Sequence, residues 1–260
     1  MLFSIGNTHI HYPIFNGGYG KDLSLRCKFP SVIGAIFAGG YGKRLQSLDP
    51  QLPKVLLPLK DDFVILDKQL SDFESVGLDE VYLMIGYKGE EIEKRYGDRW
   101  NGLKILYLRE GEPKGTLWAI RNLFSNTDSD VLLRNGDTIC DLDLRKFAEF
   151  SQSNEKLVTM VIVRMRSPYG LVSLNRNVVT NFTEKPLLRH YVNGGIYFLR
   201  KEMKSHLKTK FKEKDIERSL FRTLAHKREI YAYKYNGFWK PVDNTKDYKE
   251  IKEIYMTREI

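Results

Sequence analysis

The chain has 260 residues, 42% hydrophobic and 29% charged, enough for one large α/β domain or such a domain with a small appendage. It contains no run of 18 apolar residues and no basic n-region at its start, so neither a membrane span nor a signal peptide is expected; two distant cysteines, Cys27 and Cys140, suit a reducing cytoplasm without a disulfide framework. The net charge is +9, with 16 Lys and Arg against 10 Asp and Glu from Lys201 onward, but KEMKSHLKTKFKEK mixes both signs and no nucleic-acid motif is present, so the excess reads as a solvated surface.

The phrase GGYGK occurs twice, at 17–21 and 39–43. The first copy follows Pro13 and is followed by Asp22, a carboxylate that would face any bound phosphate, so residues 1–30 read as an extension, a hairpin or arm. The second copy follows Val32–Ala38, an almost wholly apolar run of the kind buried on both faces of a parallel sheet. Gly39, Gly40 and Gly42 then allow close approach of backbone N–H groups to an anion, and Lys43, Arg44 and Lys54 can neutralise it. The loop matches neither the Walker pattern nor the dinucleotide fingerprint.

Beyond the loop the pattern alternates. A helix is expected near 64–76 with Leu66, Leu70, Phe73 and Val76 on one face, then a strand at 81–85. A short helix through EEIEKRY, a strand at 103–108, a helix from about Thr116 and an apolar strand at 131–133 running into RNGDT come next. This order predicts a doubly wound, Rossmann-like, mixed but mostly parallel sheet, with ligands beyond the carboxyl ends of its strands. Strands near 157–163 and 196–199 and a hairpin over 171–183 are expected to extend the sheet. The domain would cover 31–260, in two halves at about 31–143 and about 144–260.

AGGYGKRLQSLDPQLPKVLLPL, GTLWAI, NGDT, YGLV, FTEKP, NGGIYFL and GFWKPVDNTKDY, in that order, resemble the nucleotide-sugar pyrophosphorylases, the sugar-1-phosphate nucleotidylyltransferases. The match runs from about Val32 to Tyr255 and is nearest the short single-domain members, including the mannose- and heptose-1-phosphate guanylyltransferases. No hexapeptide repeat is present in these residues, so a C-terminal β-helix is not expected in them. The resemblance implies an enzyme that joins an NTP to a sugar 1-phosphate, releasing pyrophosphate, by positioning and electrostatic stabilisation.

It further implies roles for particular residues. Ala38, Gly39, Gly40, Gly42, Gly115 and Thr116 would bind the nucleotide, and Arg44, Lys54 and Lys185 would be catalytic. Gly170, Glu184, Lys185, Asn193 and Gly194 would bind the sugar phosphate. Asp137 and Asp243 would hold Mg²⁺, which takes oxygen ligands and retains waters. Trp239 and Asp243 are four residues apart where many relatives have two, a wider spacing shared by related cytidylyltransferases. Asp141 and Asp143 read as caps of the helix from Leu144, Tyr169 and Trp239 as packing residues, and the histidines carry no role. Arg134 is out of keeping with its apolar strand. GTP with mannose or heptose 1-phosphate is the expected pair, with CTP, dTTP or UTP and glucose 1-phosphate as alternatives. A silent NDP-sugar-binding regulator or an NDP-sugar-consuming glycosyltransferase would be the other classes. No nucleic-acid or membrane partner is expected, and a homodimer is in keeping with similar enzymes.

Overall fold

The computed structural model describes Phe29, residues 31–46 and residues 48–257. The first GGYGK copy, Cys27 and the amino-terminal histidines lie outside the described residues. Strand β1 (Val32–Phe37) is buried along almost its whole length. It is followed by the glycine loop, a 3-10 turn at Lys43–Leu45, a second at Lys54–Leu56, and a small antiparallel pair, β2 (Pro58–Lys60) and β3 (Phe63–Val64). Helix α1 (Ile65–Val76) starts where the Asp67 carboxylate accepts a hydrogen bond from Val64 N at 2.8 Å and ends at Gly77 in the left-handed region. Its expected face is inside: Leu66, Leu70, Phe73 and Val76 are all 0–1% exposed, each worth about 1.5–3 kcal/mol of burial.

The chain continues through β4 (Glu80–Ile85), α2 (Gly89–Tyr96), β5 (Arg99–Trp100), β6 (Leu103–Arg109), α3 (Thr116–Asn126) and β7 (Asp130–Asn135). After β8 (Thr138–Cys140) and α4 (Leu144–Gln152) come β9 (Val158–Arg166), β10 (Leu171–Asn175), β11 (Val178–Thr183) and β12 (Leu187–Leu199). Helix α5 (Arg222–His226), β13 (Ile230–Tyr235), β14 (Trp239–Pro241) and α6 (Thr245–Thr257) complete it.

Eight strands form one mixed sheet in the order β13-β9-β12-β7-β1-β4-β6-β5. β1 is parallel to β4 and β7, and β4 to β6, while β12 returns antiparallel between β7 and β9. Alternate residues of β1 feed two cores, as the pleat requires. Val32 and Ile36 join α1 on one side, and Ile33 and Ala35 join Leu117, Ile120 and Phe124 of α3 on the other. The result is the expected Rossmann-like α/β sandwich, in which the carboxyl ends of β1, β4, β6 and β7 open on the same side. No helix among the described residues is long and apolar enough to cross a membrane.

Two expectations are corrected. The hairpin β10–β11 forms with the expected pairing of Leu171 to Thr183, but it is a separate two-stranded sheet, exposed at every residue. The strand beside β9 at that end of the sheet is instead β13, which pairs with it in parallel. Tyr169, at the base of this hairpin, is 76% exposed and is not a packing residue.

Candidate active site

Three backbone segments converge at the carboxyl ends of the central strands. The glycine loop after β1 is bound to the end of β4, where Ala38 N donates to Met84 O at 2.9 Å. The turn after β7 is bound to the end of β1, where Gly136 N donates to Phe37 O at 3.0 Å. The turn before α3 leans on the chain before α5: Leu117 N donates to Lys214 O at 3.0 Å, and Ile216 N donates to the Thr116 hydroxyl at 2.9 Å. Gly115 has φ of +89°, and a Cβ there would lie 2.7 Å from Lys214 O, so only glycine closes this contact.

Between these segments lies a cleft of about 340 Å³, within the usual range for small-ligand sites. Gly39, Gly40, Lys54, Gly115, Thr116 and Asp137 line it together. Gly42 lies against the Lys54 side chain, where a Cβ would come within 3.0 Å of Lys54 Cβ. Ala38 is buried directly behind the loop.

The electrostatic centre of the cleft is Lys54. Its ammonium donates to Asp137 Oδ2 at 2.9 Å and lies 3.7 Å from Asp243 Oδ1. The Lys54 side chain is 12% exposed, whereas Asp137 and Asp243 are 36% and 50% exposed, so the carboxylates remain open on their outer sides. The short β8–β14 ladder brings the two acids together. It pairs Thr138 with Pro241, and Val242 N then donates to Asp137 O at 2.7 Å. Asp243 follows directly, and Asn244, whose side chain accepts from Lys246 N and Asp247 N, caps α6. Asp143 does cap α4, accepting from Lys146 N at 3.1 Å, but Asp141 instead accepts the hydroxyl hydrogen bond of Tyr235.

Arg134, without explanation in the sequence, is fully buried. Its Nη1 donates to Asp72 Oδ2 at 2.7 Å and its Nη2 to Thr138 O at 3.1 Å. Burial alone would lower its pKa, but Asp72 reverses this and holds it above its usual value, so the charge is kept.

The expected sugar-side residues divide. Asn193 and Gly194 do not line the cleft, but their neighbour Gly195 packs against the Asn135 side chain, and Trp239 Nε1 donates to Gly194 O at 2.8 Å. Asn193 donates to the Tyr197 hydroxyl at 2.7 Å, and burial pushes that phenol up, so it stays neutral. Gly170 packs against Phe182 and the Glu184 carboxylate on the exposed hairpin side. Glu184 and Lys185 form an ion pair at 3.8 Å with both side chains more than 60% exposed, and neither lines the cleft. Arg44 is exposed, outside the cleft wall, and makes no ion pair among the described residues.

The cleft also holds residues that sequence reading passed over. Trp118 forms part of the wall, with the Lys114 ammonium 4.6 Å from its ring centroid. Glu110 accepts from Gly115 N at 2.9 Å, and Glu217, whose pKa is raised by desolvation, also lines the cleft. Glu110 and Glu217 stand in stretches with no motif of their own. Among the described residues no group of three or more His, Cys, Asp and Glu is gathered for a metal, so Asp137 and Asp243 offer a two-carboxylate site.

Comparison with known proteins agrees with this architecture. The chain is 29% identical over 233 residues to "Mannose-1-phosphate guanylyltransferase catalytic subunit beta" of Drosophila pseudoobscura pseudoobscura, covering 85% of this chain and 62% of that protein. This chain thus spans about three fifths of that relative's length. It is 37% identical over 176 residues to "D-glycero-alpha-D-manno-heptose 1-phosphate guanylyltransferase" of Aneurinibacillus thermoaerophilus, covering 64% of this chain and 74% of that one. In fold it resembles the crystal structure of a putative glucose-1-phosphate thymidylyltransferase from Bacillus anthracis. That likeness has a TM-score of 0.71 at 16% identity and covers 88% of this chain and 97% of the other. The family model described as "Nucleotidyl transferase" matches residues 33–258, so this chain belongs to the nucleotidyl transferase family.

Proposed function

We propose that this protein is a sugar-1-phosphate guanylyltransferase, forming GDP-sugar and pyrophosphate from GTP and a mannose or heptose 1-phosphate. The observation that carries the reading is Lys54, held between Asp137 and Asp243 at the floor of a cleft walled by the glycine loop and the Gly115–Thr116 turn. The curated relatives named above are both guanylyltransferases, which favours GTP over the other nucleotides.

In this reading a phosphate oxygen of the sugar phosphate attacks the α-phosphorus of GTP in line. A new P–O bond forms on one face as the bond to the β-phosphate oxygen breaks on the other, and pyrophosphate leaves with that electron pair. The loop at Gly39, Gly40 and Gly42 follows the triphosphate with backbone N–H groups. Lys54 would neutralise charge gathering around the α-phosphate, and the exposed Arg44 would meet the departing pyrophosphate. Gly115 and Thr116 orient the base. Asn193 and Gly194 on β12, and Glu184 and Lys185 with Gly170 on the hairpin side, would take the sugar phosphate.

Nucleotidyl transferases generally use a divalent metal, and the donor set here suits Mg²⁺: two carboxylates on one cation, each with an open outer face. Asp137 and Asp243 would hold it, and it would supply charge neutralisation between the phosphates. The test is pyrophosphate release with Mg²⁺ from GTP, ATP, CTP, UTP and dTTP, each paired with mannose, heptose or glucose 1-phosphate. Release that needs both GTP and a mannose or heptose 1-phosphate is expected. Release with another nucleotide alone would reject the base assignment, and none with any pair would reject the reaction.

A further inference from the structure

The turn that carries Asp137 is held by its backbone to an unusual degree. Three successive carbonyls, those of Gly136, Asp137 and Thr138, each accept a hydrogen bond from a different part of the molecule. Gln69 Nε2 of α1 donates to Gly136 O at 2.7 Å, Val242 N to Asp137 O at 2.7 Å, and Arg134 Nη2 to Thr138 O at 3.1 Å. Gln69 and Arg134 are both 0% exposed. Arg134 is in turn fixed by Asp72 at 2.7 Å, and Asp72 by Lys68, both on the same helix as Gln69.

We propose that Gln69 and the Arg134–Asp72 pair are positioning residues that clamp the backbone on either side of Asp137, setting where its carboxylate meets the metal and the nucleotide. The inference rests on the reading of Asp137 as the metal-holding carboxylate. Its physical ground is the cost of the arrangement. A buried ion pair is weak evidence of stability, since apolar residues of similar volume are often as good or better there. Among the described residues, Gln69 Oε1 and Arg134 Nε are buried without a hydrogen-bond partner, which apolar side chains would avoid. What these polar groups provide that apolar ones cannot is directed N–H donors to Gly136 O and Thr138 O. Groups behind a metal ligand commonly control metal affinity by orienting it.

The test compares wild-type protein with Gln69→Met, Arg134→Met and Arg134→Lys. The first readout is the GTP dissociation constant from fluorescence of the tryptophans, one of which, Trp118, lines the cleft, measured in EDTA and in excess Mg²⁺. The second is the Mg²⁺ concentration for half-maximal turnover, with thermal melting as a check on folding. Gln69→Met should leave GTP binding in EDTA within about threefold, while the tightening by Mg²⁺ shrinks roughly tenfold and the half-saturating Mg²⁺ rises by a similar factor. Arg134→Lys keeps the charge beside Asp72 but cannot reach both acceptors with a fixed fork, so it should behave as Arg134→Met in metal coupling while melting higher.

A packing role alone would lower the melting temperature and leave the metal coupling of the folded protein unchanged, which would overturn the proposal. Full rescue by lysine would overturn it too, by showing that charge is sufficient. Should Arg134→Met not fold, Gln69→Met and Arg134→Lys decide. Wild-type protein with no effect of Mg²⁺ on GTP binding or turnover would instead reject the reading of Asp137, and the clamp with it.

Discussion

A methyl group added at Gly136 tests how closely the Asp137 turn is fitted. The Cβ of Gly136→Ala would stand 2.2 Å from Phe37 O and 2.9 Å from Val55 Cγ1, where contacts under 3.0 Å are essentially unknown. Phe37 O belongs to a central strand and cannot yield, so the turn must move outward by roughly 1 Å, a displacement that can cost about 100-fold in rate. The same shift breaks the 3.0 Å bond from Gly136 N to Phe37 O. Overpacking of about 1–3 kcal/mol and a lost hydrogen bond of about 1 kcal/mol sum to roughly 3 kcal/mol. In a domain of this size that lowers Tm by roughly 6–12 °C and leaves the protein folded at 25 °C. Pyrophosphate release at saturating substrates and thermal melting measure the two effects. Gly40→Ala is the companion, because nothing lies within 4 Å of its Cβ. It should keep its Tm within about 2 °C yet raise the KM for GTP by crowding the phosphate loop. Gly136→Ala with wild-type kcat and Tm would refute the reasoning.

Three other outcomes are expected. Asp137→Ala should reduce turnover below about 1% with little loss of fold, since the side chain is partly exposed and Lys54 keeps Asp243; wild-type activity would remove Asp137 from the site. Lys54→Met should lower kcat by about 100- to 1,000-fold, measured as pyrophosphate release under saturating GTP, whereas a change in KM alone would make Lys54 a ground-state binding group. Removal of residues 1–28 should leave kcat and KM unchanged, because the first GGYGK copy has a proline before it and an aspartate after it; a large fall in kcat from folded protein would give that copy a part in catalysis.

Local signals were sufficient wherever burial follows from a short run of residues. The apolar stretch at 32–38 could only be a strand covered on both faces, and α1 could only turn Leu66, Leu70, Phe73 and Val76 inward. The glycine loop, Pro53-Lys54, Gly115-Thr116 and Asn135–Asp137 likewise stood out as short motifs, and residues of all four line one cleft. Tertiary structure decided what depends on partners far along the chain. Which strands flank β9 depends on distant segments, and they are β12 and β13, while β10–β11 pair only with each other. Arg134 gained its meaning only from Asp72 and Thr138, because a buried charge is stable only beside an acceptor that its own strand does not supply. The resemblance to a family put Asp243 in one site with Asp137 and Lys54, but their distances are set by the β8–β14 ladder, and hydrogen-bond register between distant strands leaves no mark in either one alone.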